Sequence, residues 1–312
     1  MKVVISEFMD EAAIAQELGA FETLYDPGLV DRPDALAAAL GDADALIVRN
    51  RTQVRGALLA AAPGLRAVGR LGVGLDNIDA AACGRRGIAV FPATGANDVA
   101  VAEYVIATAM LLLRGAYGAT DAVAAGAWPR ERLMGREIFG KRLGLVGFGA
   151  IARETAVRAA ALGMTLAAHD PHLPAEDAAW RPAYAPVARL ALEELLATSD
   201  VVSLHVPLTP ETRDLIDAGA LARMRADAIL INAARGGVVD EAAVAAALRA
   251  KKLGGAALDV FVREPMDAAA GEWFCGAPNL ILTPHVAGVT RESNVRVSAV
   301  TARAVRRHLT GE

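Results

Sequence analysis

Three polar residues in the second half of the chain, Arg235, Glu264 and His285, each stand in a turn that follows an apolar run. The turns read Asn232-Ala-Ala-Arg-Gly-Gly, Asp259-Val-Phe-Val-Arg-Glu-Pro and Thr283-Pro-His-Val-Ala-Gly. Arginine gives a planar, bidentate hold on a carboxylate. A histidine held by a carboxylate is a proton donor near neutral pH, because the carboxylate favours the protonated ring and fixes its orientation. Hydride transfer to a ketone needs both functions beside a dinucleotide. Each residue also has a plainer reading: Arg235 as half of a surface ion pair, Glu264 as a turn former before Pro265, Asp259 as a strand-end cap, and His285 as one of five histidines. Taken singly, none is decisive.

A place for the dinucleotide is legible in residues 141–171, KRLGLVGFGAIARETAVRAAALGMTLAAHDP. The apolar run 143–146 predicts a buried strand, 152–162 a helix and 164–168 a second strand. Gly147 permits a sharp turn between strand and helix, Gly149 lets a pyrophosphate approach the backbone, and the small Ala152 lets helix and strand pack closely. The free N–H groups and dipole at the helix start favour the phosphate charge. Asp170, 21 residues beyond Gly149, closes the second strand where a carboxylate would accept from a ribose. It would repel a 2′-phosphate, so NAD is favoured over NADP.

These residues must be carried by a larger framework. At 312 residues, with 54% apolar and 22% charged, the chain is long enough for two domains with a sizeable core. A net charge of −4 gives no reason to expect nucleic acid or an anionic membrane as partner. Cys83 and Cys275 match no metal or disulfide spacing and read as buried thiols in a reducing compartment. The N-terminus does not read as a signal peptide, and the longest apolar stretch, 99–113, contains Glu103 and is too short to span a membrane. A soluble, cytoplasmic protein is expected.

Along the first 97 residues strands (3–5, 21–24, 45–48, 66–70, 88–91) alternate with helices (11–18, 34–40, 54–61, 78–86). Such alternation implies a parallel sheet covered by helices, with ligand sites beyond the carboxyl ends of the strands. Residues 98–113 predict one long, nearly apolar buried helix, followed by a looser segment with Trp128-Pro-Arg-Glu-Arg132. Beyond the dinucleotide unit come strands at 201–205, 228–232, 255–260 and 280–282, and helices at 241–251 and 291–309.

Over essentially its whole length the chain resembles the D-isomer-specific 2-hydroxyacid dehydrogenase family, most closely its 3-phosphoglycerate dehydrogenase-like branch. The resemblance rests on VGRLGVGLDNID (68–79), VAVAEYVIATAMLLLR (99–114), GLVGFGAIA, HDP, HVPLTPETRDLI (205–216), NAARGGVVDEAAV (232–244), AALDVFVREP (256–265) and TPHVAG (283–288). It implies two doubly wound parallel-sheet domains, with a Rossmann NAD domain (98–283) inserted into a flavodoxin-like substrate domain (1–97 plus 284–312), the active site in the cleft and hinge closure excluding water. His285 would be the acid/base, Glu264 its partner, and Arg235 the clamp on the substrate carboxylate and keto oxygen. NAD would be held by Gly147, Gly149, Ala150, Ile151 and Asp170, with Val73, His205, Val206, Ala233, Ala234, Arg235, Asp259, His285 and Gly288 around its nicotinamide half, Asp259 through the carboxamide. Gly72 and Val73 would lie near the substrate carboxylate, and Arg49 and Asn97 near its far end. A homodimer packed through 99–113 and the arm after it is expected, and no metal.

The cations Arg49, Arg51, Arg70, Arg130 and Arg132 exceed what a lactate-sized substrate needs, which suggests a 2-hydroxy acid with a second anionic group; the alternative leaves several of them in solvent or in salt bridges. Two departures from phosphoglycerate enzymes, the close of the chain soon after His285 and the sequence Val-Ala-Gly-Val-Thr there, set phosphoglycerate beside sulfolactate, because sulfolactate dehydrogenases of the family are similar in size and in this closing segment. A general glyoxylate or hydroxypyruvate reductase is the alternative enzyme. A non-catalytic, NAD-sensing corepressor is the alternative of another class.

Overall fold

Aliphatic runs too short for helices, separated by alanine-rich segments, become the strands of two parallel sheets. A computed structural model describes every residue, Met1–Glu312. Residues 1–97 with 289–312 form one compact unit, and 98–288 form the other. In the first unit β1 (Lys2–Ile5), β2 (Glu22–Tyr25), β3 (Ala45–Val48), β4 (Ala67–Arg70) and β5 (Ala89–Pro92) pair in the order β2-β1-β3-β4-β5, all parallel. That is the flavodoxin-like order, with its switch point between β1 and β3.

The linking helices are α1 (Glu11–Leu18), α2 (Pro33–Ala39), α3 (Gly56–Ala60) and α4 (Ala80–Arg85). Asp10 caps α1 by accepting from the Ala13 N–H, and Pro33 stands at the start of α2, where its missing N–H costs nothing. Alternation along β3 sends Leu46 and Val48 toward Leu36 and Leu59 on one face, and Ala45 and Ile47 toward the other. The second face is covered by the C-terminal helix (Arg291–Thr310) through Val297, Ala302 and Val305. This sheet is therefore buried on both sides, as parallel sheets are.

The second unit opens with α5 (Asp98–Arg114) and the short α6 (Thr120–Ala124). Its strands are β6 (Arg142–Val146), β7 (Thr165–His169), β8 (Val187–Arg189), β9 (Val201–Leu204), β10 (Ile229–Asn232), β11 (Gly255–Leu258) and β12 (Leu280–Leu282). Its remaining helices are α7 (Ala150–Ala161), α8 (Leu192–Thr198), α9 (Ala218–Arg223), α10 (Glu241–Arg249) and the four-residue α11 (Ala268–Gly271). The order β12-β11-β10-β9-β6-β7-β8 is the doubly wound Rossmann arrangement with a further strand at one edge. Its switch point lies between β6 and β9. Leu143, Leu145, Ile229 and Ile231 face α5 and α7, whereas Val202, Leu204 and Leu230 face Leu195, Leu221 and Val244 of α8, α9 and α10.

Several expectations are corrected. Val54 bridges to Ile78 instead of opening a helix, so α3 begins at Gly56. The α7 helix begins at Ala150, because Gly149 already serves as its N-cap. β8, α8 and α9 were not expected; each is short, and β8 has only three residues. The α5 helix is buried on one face only: Ala102, Val105, Ala109 and Leu112 are inside, but Val99, Met110 and Leu111 are exposed. Cys83 is buried as expected, while Cys275 is exposed. Residues 284–288 belong to the second unit instead of the first, because the Asp259 main chain and carboxylate hold His285, Val286 and Ala287. No single helix is long and apolar enough to cross a membrane.

Candidate active site

In the second unit the ends of β6, β10, β11 and β12 carry the residues singled out above. The turn after β6 sits at the switch point. Gly147 has φ +85°, and a β-carbon there would come within 2.6 Å of the His205 carbonyl oxygen at the end of β9. Only glycine accommodates both conditions. Gly149 is different: a β-carbon would meet nothing within 4 Å, and no side chain caps α7 behind it. The N–H groups of Ala150 and Ile151 thus open a helix before free space, which suits a pyrophosphate. Asp170 ties this turn to β7 by accepting from the Phe148 N–H (2.9 Å) and the His172 N–H (2.9 Å), one bond per oxygen. Each oxygen keeps a second lone pair for ribose hydroxyls.

At the end of β10, Asn232 shapes the arginine turn. Its Oδ1 accepts from the Ala234 N–H (3.1 Å) and its Nδ2 donates to the Arg235 carbonyl (3.0 Å), leaving Ala233 half-buried between them. Arg235 is half-buried, and Gly236 follows with no side chain where a β-carbon would overlap the Phe261 carbonyl. The arginine turn and the loop carrying Glu264 are thereby packed backbone to backbone. From α10, Glu241 accepts from the Val262 N–H (2.7 Å), and Glu264 accepts from the Phe261 N–H (2.9 Å).

The pair that the sequence leaves 21 residues apart meets here: His285 Nδ1 lies 2.7 Å from Glu264 Oε2. Burial opposes ionisation of Glu264. The hydrogen bond and charge of His285, the Phe261 N–H and the nearby Arg235 charge outweigh it and hold the carboxyl below the ordinary carboxylate range. An ionised Glu264 accepts a hydrogen bond from Nδ1–H and leaves Nε2 for chemistry. His285 itself sits at φ +56°, a left-handed conformation that costs a non-glycine residue about 1 kcal/mol or more.

Asp259, 1% exposed, holds it there. The Asp259 carbonyl accepts from the His285 N–H (2.8 Å), Oδ1 from Val286 N–H (2.8 Å) and Thr283 Oγ1 (2.6 Å), and Oδ2 from Ala287 N–H (2.8 Å). The residue read as a nicotinamide contact is thus first the clamp of the histidine turn, with one carboxylate lone pair left for a further donor. His205 is bonded to Ser203 Oγ through Nε2 (2.9 Å), and burial pushes its pKa down to about 4, so the ring is neutral at physiological pH. Val206 packs beside the Gly147 turn, and the half-buried Gly288 ends the histidine turn.

The first unit holds the other expected residues. Glu7, which sequence reasoning passed over, organises the loop after β3: its carboxylate accepts from the N–H groups of Arg49 (2.9 Å), Thr52 (3.0 Å) and Arg51 (3.1 Å). Asn77 closes the same loop by donating to the carbonyls of Arg49 (3.2 Å) and Thr52 (2.8 Å), and itself accepts from Arg70 Nε (3.2 Å). Neither was legible, because the loop each one holds lies at least 25 positions away in the chain.

Arg49 is buried; its guanidinium lies 3.7 Å from the Phe8 ring centroid and donates to Asn294 Oδ1 at 2.5 Å. Burial pushes its pKa down to about 10, with the Glu7 charge opposing, so it stays cationic. Its Nε is buried without a partner, as is Asn97 Oδ1. Gly72 packs against the Arg70 guanidinium, and Val73 is exposed. Of the other arginines, Arg51 pairs with Asp31, and Arg130 and Arg132 are exposed in the second unit.

The chain is similar to known proteins over essentially its whole length. Residues 106–287 match the family model described as D-isomer specific 2-hydroxyacid dehydrogenase, NAD binding domain. The chain is 56% identical to an (S)-sulfolactate dehydrogenase of Chromohalobacter salexigens, over 98% of both. It is 42% identical to a D-3-phosphoglycerate dehydrogenase of Mycobacterium tuberculosis over 91% of its own residues but spans only 53% of that relative. The structure resembles that of an Aquifex aeolicus D-lactate dehydrogenase complexed with NAD and lactic acid, with TM-score 0.87, 27% identity, and coverage of 100% and 96% of the two chains.

The chain belongs to the D-isomer-specific 2-hydroxyacid dehydrogenase family. Its chemistry is the NAD-dependent interconversion of a 2-hydroxy acid and its 2-oxo acid.

Proposed function

We propose that His285, Glu264 and Arg235 carry out this interconversion, and that the substrate is a sulfolactate-like acid with a second anionic group. The observation that carries the first part is the 2.7 Å contact between His285 Nδ1 and Glu264 Oε2, which leaves Nε2 as the one ring nitrogen free to exchange a proton. In the reductive direction bound NADH supplies the hydride to the carbonyl carbon. Arg235 holds the substrate carboxylate and draws charge from the keto oxygen. His285 gives its Nε2 proton to that oxygen as the alkoxide develops, and Glu264 keeps the ring oriented throughout. Gly149, Ala150 and Ile151 hold the pyrophosphate and Asp170 the ribose; Val73, His205, Val206, Ala233, Ala234 and Gly288 are proposed around the nicotinamide half.

The second anionic group is proposed for Arg49, a buried cation with an unpartnered Nε, with Asn97, Gly72 and Val73 completing the substrate side. A buried guanidinium with a spare donor is costly unless an anion completes it. The 56% identical relative named for sulfolactate supports the same reading. The test is NADH oxidation with sulfopyruvate, phosphohydroxypyruvate, oxaloacetate, pyruvate, hydroxypyruvate and glyoxylate. A marked preference for sulfopyruvate is expected. Comparable rates on glyoxylate and hydroxypyruvate would overturn the second-anion proposal, and absence of turnover with NADH still bound would overturn the enzymatic one.

Two further proposals follow from the same reading. The exposed apolar face of α5, with Tyr117, Trp128 and Met134 beyond it exposed by 65%, 75% and 82%, is proposed to be covered by a second copy of the chain. Sedimentation showing a dimer, and a monomer for Trp128→Glu, is the expected result. A cytoplasmic location is proposed from the unpaired thiols of Cys83 and Cys275.

A further inference from the structure

The mechanism above uses nothing from α5, yet that helix reaches the histidine turn. Tyr104, in the first half of α5, places its hydroxyl 2.7 Å from Thr283 Oγ1, and Thr283 Oγ1 lies 2.6 Å from Asp259 Oδ1. The direction of this line follows from its end. An ionised carboxylate only accepts, so the single Thr283 hydroxyl proton goes to Asp259, and Tyr104 must donate to Thr283. Burial pushes the Tyr104 pKa up to about 12, so the phenol keeps the proton it donates.

Asp259 is the residue that fixes the turn: its carbonyl and both carboxylate oxygens bind the consecutive N–H groups of His285, Val286 and Ala287. A left-handed histidine persists only where its surroundings over-determine it. Those surroundings begin at Tyr104, on a helix whose Val105, Ala109 and Leu112 are packed in the core against the sheet.

We propose that Tyr104 is a positioning residue for His285: the Tyr104–Thr283–Asp259 line anchors the histidine turn to α5 and sets the direction of the imidazole. This rests on the proposed role of His285. Tyr104 touches neither substrate nor cofactor in this scheme.

The test is a set of variants, Tyr104→Phe, Thr283→Val, Thr283→Ser and the double Tyr104→Phe/Thr283→Val. The readouts are kcat, KM for the 2-oxo acid, NADH affinity by fluorescence, and amide exchange at Val286 and Ala287. Tyr104→Phe keeps the ring and removes one hydrogen bond, so kcat should fall about fivefold, with NADH affinity unchanged within about twofold. Thr283→Val should cost about tenfold or more in kcat, since Asp259 loses a donor outright, whereas Thr283→Ser should restore it. The double variant should equal Thr283→Val, because the tyrosine acts only through the threonine. Exchange at Val286 and Ala287 should quicken in Tyr104→Phe.

Wild-type kcat and exchange in Tyr104→Phe would overturn the proposal, as would independent, multiplying effects in the double variant. A kcat loss matched by an equal loss of NADH affinity would also overturn it, since that marks general destabilisation. Should Thr283→Val fail to fold, the exchange measurement on Tyr104→Phe decides alone. Failure of the acid/base reading is distinguished by His285→Ala, whose retained turnover would remove that role without altering the exchange result.

Discussion

The surroundings of His285 in the second unit and of Arg49 in the first are built on opposite principles. Around His285, the donors of the turn and the acceptors of Asp259 and Glu264 are matched inside the unit, to the point of holding a left-handed residue in place. Around Arg49, Glu7 and Asn77 fix the backbone, but a guanidinium nitrogen is left buried and unpartnered, and so is the Asn97 side-chain oxygen. These are the two buried side-chain atoms in the chain with no partner, and both belong to the first unit. The contrast teaches a division of labour. On the proposed roles, the groups assigned to chemistry are preorganised by the protein itself, and those assigned to substrate choice keep bonding capacity in reserve for a ligand.

The sharpest way to break this contrast is at its chemical end. His285→Ala should lower kcat by about 100- to 10,000-fold, the range of general acid–base catalysis, while stopped-flow titration shows NADH affinity unchanged. Retained turnover would remove the acid/base role. Arg235→Lys should cost about 10- to 100-fold in kcat/KM on every 2-oxo acid tested, because a point charge replaces the planar fork. Arg49→Met should behave differently: KM for sulfopyruvate is expected to rise about 10-fold or more, with glyoxylate nearly unaffected. Equal losses on both substrates would erase the division between chemistry and choice.

The smallest effect concerns stability. The Glu264 pKa is lowered in the folded protein, so its contribution is present above the ordinary carboxylate range and is lost as pH falls through the depressed value. The Tm difference between wild type and Glu264→Gln should therefore shrink on acidification from about pH 6 to about pH 3. A difference independent of pH would show that the Glu264 charge contributes nothing.

Much of this framework was legible in the residues. Helix Glu11–Leu18 and strands Ala45–Val48 and Leu280–Leu282 follow the apolar pattern residue for residue, and the glycine turn at 147–149 stands where strand and helix meet. The turns holding Arg235, Glu264 and His285 could be found because their chemistry is unusual for turns, and the structure brings the last two together. What escaped was support at a distance. Glu7 holds a loop 42 or more residues further on, and no local pattern announces that. Tyr104 lies inside an apolar helical run, where a tyrosine reads as core until its hydroxyl is followed to Thr283. The exposure of Cys275 was equally invisible, since a cysteine carries no sign of its own burial. Short elements such as β8 were missed because three residues hold too little periodicity to recognise.

The bare backbone at Gly236 has a consequence for change. A β-carbon there would overlap the Phe261 carbonyl, so the arginine turn and the glutamate loop fit together only while that position stays empty. Two segments separated in sequence are thereby inherited as one. A library randomised at residue 236 alone should return active clones that keep glycine there. Grafting a different arginine turn would require transplanting the 259–265 loop with it. If Arg49 takes the second anionic group as proposed, new substrate preferences should be reached by changing the loop after β3, which is no part of that joint.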